Sequence, residues 1–185
     1  MSASGHEVLT RRRFACMGVA AGMTTLSRRP ACAVLLHPHE DTFAVRIAVP
    51  YFVAGTAADA ESARVISAII MANLARDGRF VLIDQAAFPD KVPTINEWPQ
   101  FADWRAIKTV ALLVGRVAHQ PDGRINVAFR LWDVSGDVSA PTQLIGKQHA
   151  AMPDMYLRIG NIISDEVYEA LFGVPRHFDA NASPR

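Results

Sequence analysis

Thr109-Val110-Ala111-Leu112-Leu113-Val114-Gly115-Arg116-Val117 is a nearly unbroken apolar run, and its reading decides the fold. A run this short and this rich in valine and leucine suits a central strand buried on both faces. Gln120-Pro121-Asp122-Gly123-Arg124 follows, with proline and glycine at turn-favoured places, so the chain reverses there. Ile125–Val134 then alternates: Ile125, Val127, Phe129 and Leu131 point one way, Asn126 and Arg130 the other. That period of two predicts a half-buried strand paired antiparallel to the first. Gln143–Ala150, beyond the Asp137–Pro141 loop, reads as the third strand of a meander.

Working outward, Phe43–Val49 reads as a strand stopped by Pro50. Gly55–Asp59 is a turn into a helix with Val65, Ile66, Ile69, Ile70 and Leu74 on one face. Arg64, Asn73, Arg76 and Asp77 are expected away from that face, and Gly78 closes the helix. Arg79–Ile83 reads as a short strand, Asp84–Phe88 as one helical turn capped by Asp84, and Phe101–Lys108 as a short helix carrying Trp104 and Ile107. A last helix begins near Pro153-Asp154. Its stripe is Ile159, Ile162, Ile163, Val167, Ala170 and Leu171, and Gly173 and Pro175 end it. The expected architecture is α/β: a mixed sheet of about five strands packed by two main helices.

The chain has 185 residues and a net charge of +1, with 50% hydrophobic and 20% charged residues. That composition excludes disordered, collagen-like and coiled-coil classes. The charge is uneven. Arg11, Arg12, Arg13, Arg28 and Arg29 face only Glu7 in residues 1–33, so the remainder is mildly acidic, which speaks against a nucleic-acid partner.

Residues 1–33 read as an export signal. Thr10-Arg11-Arg12-Arg13-Phe14 precedes a modest apolar run to Leu26, and Ala31-Cys32-Ala33 supplies a small-x-small cleavage site. The run is too short to span a bilayer. Arg11 and Arg12 are the expected twin-arginine determinants, and Ala31 and Ala33 the cleavage determinants. The alternative is an ordinary Sec signal whose arginines form a charged n-region. Either route places the mature chain in the periplasm. Cys16 and Cys32 both lie in the removed segment, so disulfide, thiolate-metal and cysteine-nucleophile chemistry are not expected.

The sequence holds no glycine-rich phosphate loop, no Gly-x-Ser-x-Gly elbow and no His-Glu-x-x-His. His119 and His149 have no sequence neighbour to form a catalytic pair and read as solvated edge positions. Asp165, Glu166 and Glu169 read as the solvated side of the last helix, and Trp98, Trp104 and Trp132 as core and rim packing. Asp133 and Asp137 read as turn carboxylates. The expectation is a protein that is not an enzyme and needs no cofactor. One alternative is small-ligand or metal binding through His37, His39, Glu40 and Asp41 in the lead.

Phe101-Ala102-Asp103-Trp104-Arg105-Ala106-Ile107, Gly115-Arg116-Val117, Pro121-Asp122-Gly123-Arg124 and Phe129-Arg130-Leu131-Trp132-Asp133-Val134 resemble motifs of the alphaproteobacterial TolB family. Ile47-Ala48-Val49-Pro50 and Ile162-Ile163-Ser164-Asp165-Glu166-Val167-Tyr168-Glu169 are similar too. The resemblance spans about residues 44–179. It implies an α/β domain of a periplasmic protein in the Tol-Pal envelope system, which links inner and outer membrane and aids constriction at division. It divides the chain into a signal (1–33), a lead (34–42), a domain (43–174) and a polar tail (175–185). In the family, the segment in the lead's place binds the C-terminal domain of TolA, which implies Val34, Leu35 and Leu36 as apolar anchors for a TolA-like partner. Val34–His39 departs from the family's segment. The family's β-propeller, which carries most of the contact with the lipoprotein Pal, would follow the domain. Ala180–Arg185 leave the family pattern, so Pal contact of the usual kind is not expected. The chain reads either as a stand-alone paralogue or as a truncated gene product, and as a monomer.

Overall fold

The computed structural model describes residues 44–136, 142–176 and Phe178. Among these residues, six strands and three α-helices follow one another: β1 (Val45–Ala48), β2 (Val53–Ala54), α1 (Ala60–Asp77), β3 (Phe80–Leu82), α2 (Phe101–Ala106), β4 (Ala111–His119), β5 (Ile125–Asp133), β6 (Thr142–Ala151) and α3 (Tyr156–Phe172). One sheet runs in the order β3-β1-β4-β5-β6, and β2 pairs with β4. β1 is parallel to both β3 and β4, whereas β4, β5 and β6 form the expected antiparallel meander. β2 is an addition: Val53 and Ala54 lie parallel to β4 opposite Arg116 and Val117.

β4 is the spine. Ala111 to Gly115 and Val117 are buried, as a strand covered on both faces requires. One face of the sheet packs Val45, Ile47, Leu113, Val117, Val127, Phe129 and Leu131 against Ile66, Ile70 and Leu74 of α1 and Ile159, Ile163 and Val167 of α3. Ala48, Leu112, Val114, Trp132 and Val134 point to the other face, where Trp104 of α2, fully buried, covers them with Ile83. The second layer covers only part of that face. α1 and α3 end at Gly78 and Gly173, whose φ values of 77° and 71° close each helix in the left-handed conformation. Asp84 caps the turn Gln85–Ala87 by accepting from the Ala86 N–H at 2.9 Å.

Two readings of α1 need correction. Asn73 is buried, and its amide donates to Asn161 Oδ1 at 2.8 Å and to Ser164 Oγ at 3.2 Å on α3. It falls seven residues after Ile66, so helical geometry carries it into the α1–α3 seam. Asp77 also turns inward: its side chain is 1% exposed and lies 2.8 Å from Arg176 Nη2. That approach is a charge contact outside hydrogen-bond geometry, since both carboxylate oxygens lack a hydrogen-bond partner. Two residues of the polar tail are tied back onto α3. The Phe178 N–H donates to Asp165 at 2.8 Å, and the Arg176 guanidinium stands 5.4 Å from the Tyr168 ring centre.

Candidate functional site

Three polar assemblies among the described residues join elements distant in the sequence. The first joins the entrance of α1 to the end of β4. Asp59 is fully buried. Its Oδ2 accepts from the Thr56 N–H at 2.6 Å and from Thr56 Oγ1 at 2.8 Å, the reach-back of a helix-capping residue. Its Oδ1 accepts from the His119 N–H at 2.8 Å and meets His119 Nδ1. Burial is the largest single influence and would raise the carboxyl. The hydrogen bonds from the His119 ring, Thr56 Oγ1 and the two backbone amides together outweigh it and hold Asp59 at about 2, below the ordinary 3.8.

The second assembly lies between β6 and α3. Glu166 accepts from Lys147 Nζ at 2.7 Å and contacts His149 Nε2 at 2.8 Å, and its side chain is only 14% exposed. Both expectations about this region are therefore corrected. Glu166 is a half-sheltered clasp rather than part of a solvated side, and His149 is its partner rather than a free edge residue. His119 is corrected in the same way. The sequence signal was absent because the pairs are 60 and 17 residues apart. The third assembly is the Asn73–Asn161–Ser164 seam, extended by Ser62 Oγ and Tyr156 OH at 2.8 Å.

These arrangements hold elements against one another. Among the described residues, each imidazole is bonded to a carboxylate and neither to a hydroxyl. Thr56 bonds Asp59, not His119, so no nucleophile–base–acid chain forms. No group of three or more His, Cys, Asp or Glu is placed to hold a metal among the described residues. Trp104 and Trp132 pack as expected, and Trp98, 65% exposed, leans on Trp132 with ring centres 5.0 Å apart.

Val34, Leu35 and Leu36, the signal residues Arg11, Arg12, Ala31 and Ala33, and the histidine lead all lie outside the described residues, as does Asp137. Within them, one surface open to another chain is β6. It is a ten-residue edge strand, exposed or half-exposed along its whole length. Lys147 and an irregularity opposite Leu131/Trp132 interrupt it, as edges protected against uncontrolled pairing often are.

Residues 39–139 match the TolB amino-terminal domain family. Among solved structures, TolB from Acinetobacter baumannii is similar at 24% identity with a TM-score of 0.58, over 72% of this chain and 29% of that one. The hypothetical protein CT253 from Chlamydia trachomatis is similar at 12% identity with a TM-score of 0.53, over 70% of this chain and 99% of that one. At such identities these likenesses speak to the fold: an open mixed sheet with two main helices. The chain spans less than a third of the TolB structure it matches. The family match covers more than half of the chain and includes β1 through β5; of the motifs that carried the resemblance, Ile162–Glu169 on α3 lies beyond it. The chain belongs to the TolB amino-terminal domain family.

Proposed function

We propose that this chain is a non-enzymatic protein-interaction module of the periplasm, acting in the Tol-Pal envelope system. The family match over residues 39–139 is the observation that carries the reading. The polar assemblies agree with it: they join helix to strand and helix to helix and leave no nucleophile activated. Arg11 and Arg12 direct export by the twin-arginine route, and cleavage follows Ala33.

The partner is a TolA-like C-terminal domain, taken through Val34, Leu35 and Leu36 in the lead. β1 is already paired on both sides, by β3 and β4. In this reading the partner's strand uses the lead rather than β1, whose two edges are taken. Ordering nine residues costs about 1–2 kcal/mol of backbone entropy each, so the affinity is expected to be weak. The test is titration of the TolA C-terminal domain with Val34–Arg185 and with a version that starts at Phe43. Loss of binding in the shorter version supports the reading. Equal binding by both moves the site to the folded domain, and no binding by either removes TolA as the partner.

A further inference from the structure

The sheet face that α2 covers only in part leaves a groove of about 460 Å³ across β4, β5 and β6. Strand register sets its contents. One row across the three strands is Arg116, Ala128 and Gln148, and the next is Val114, Arg130 and Gly146. Each arginine therefore stands beside a residue with almost no side chain, and the Gln143 amide reaches over Gly146. Asn126 and Gln143 add amides that can both donate and accept. None of the residues lining the groove is acidic. Among the described residues, neither guanidinium has a hydrogen bond or an ion pair. On a sheet face, an opposite charge directly across on the neighbouring strand stabilises an arginine. Here the opposite positions are alanine, valine and glycine, in a chain that is mildly acidic outside its first 33 residues.

We propose that this groove binds an extended acidic segment of a partner protein, with carboxylates of alternate residues on Arg116 and Arg130. Diagonal neighbours on adjacent strands stand about 7–8 Å apart. Side chains two residues apart on an extended chain are spaced by about 7 Å, so a Glu-x-Glu segment matches the pair. Guanidinium forks suit carboxylates bidentately, and the flanking amides suit the peptide backbone between them. The site needs neither the lead nor TolA, so it stands apart from the reading above.

The probe is a fluorescent Ser-Glu-Ser-Glu-Ser-Glu peptide titrated with the purified protein, against Ser-Gln-Ser-Gln-Ser-Gln. Binding of the glutamate peptide alone is expected, weakening as salt rises. Arg116→Gln with Arg130→Gln should weaken it at least about tenfold, since two charge-assisted contacts are lost. Ala128→Glu, which sets a carboxylate between the two arginines, should do the same, and thermal melts report whether either variant is folded. Unchanged affinity in both folded variants overturns the proposal, as does equal binding of the glutamine peptide. Competition by citrate or inorganic phosphate at the same concentration as free peptide also overturns it, in favour of a small-anion site.

Discussion

Replacing Gly160 by alanine sets two effects of opposite sign against each other at the α1–α3 contact. In the interior of a helix, alanine is favoured over glycine by about 1 kcal/mol. The packing opposes it. A Cβ at position 160 would stand 2.5 Å from Ile69 Cγ2 and 2.9 Å from Ile69 Cβ. Carbon atoms prefer about 3.5–4.0 Å, so one partner has to move by roughly 1 Å. Ile69 is β-branched and stiff, and both atoms sit close to its backbone, so the motion falls on the helices. They are also held together by the Asn73–Asn161 hydrogen bond at 2.8 Å. Overpacking of this kind costs about 1–3 kcal/mol. With a backbone-close clash the upper end applies, and Gly160→Ala should destabilise the domain by about 2 kcal/mol net. For a domain of this size that lowers Tm by about 5–10 °C. Urea unfolding of wild type, Gly160→Ala, Ile69→Ala and the double variant measures it. The double variant should be more stable than the sum of the singles by about 1 kcal/mol. A Gly160→Ala protein as stable as wild type, or more so, would show that helix propensity wins and that the close approach is not required.

Asp59→Asn should show a pH-dependent penalty. A carboxyl held at about 2 instead of 3.8 contributes stability that is fully present above 3.8 and is lost as pH falls through about 2. The drop corresponds to roughly 2 kcal/mol, so the gap between wild type and variant should narrow between pH 5 and pH 2.5; a gap independent of pH in chemical unfolding would refute the account. Asn73→Ala strips the partner from buried Asn161 and should cost about 1–3 kcal/mol in urea unfolding, whereas a loss under 0.5 kcal/mol would mean water replaces the amide. Arg11→Lys with Arg12→Lys should block export if the twin-arginine route is used, since arginine is read there as more than a charge; normal periplasmic arrival in cell fractionation would assign the signal to another route.

The fold was legible where burial leaves a local imprint. The apolar run at β4 is buried on both faces, and the alternation of Ile125, Val127, Phe129 and Leu131 is the single-faced pattern of β5. Gly78 and Gly173 ended the helices where expected. Other features leave no such imprint. β2 is two residues whose assignment depends on register against β4. The Asp59–His119 pairing joins residues 60 apart, so neither residue's neighbours announce it. Asn73 was the nearest miss. Its spacing from Ile66 and Ile70 placed it on the apolar arc, but its polarity argued for water. A polar residue at such a position signals a partner on the facing helix, and Asn161 and Ser164, three residues apart on α3, were visible as candidates. The Arg116–Arg130 juxtaposition likewise needs the β4–β5 register.

The position of β1 in the sheet bears on the order in which the chain can fold. β4, β5 and β6 are joined by short reversals and can collapse onto one another early. β1 is inserted between β3 and β4, and Ile47 meets Ala111 only after the intervening helix and loops have closed. Closure of so long a loop is slow and is repaid late. The meander should therefore form the nucleus, with β1, and β3 that pairs with it, joining later. Truncations such as Val127→Ala should then slow refolding, whereas Ile47→Val should mainly speed unfolding. Stopped-flow kinetics giving the reverse partition would place the nucleus at β1. With this topology, a nascent chain can set β1 in register against β3 as soon as α1 has been made, but that pair has no place in the sheet until β4 follows.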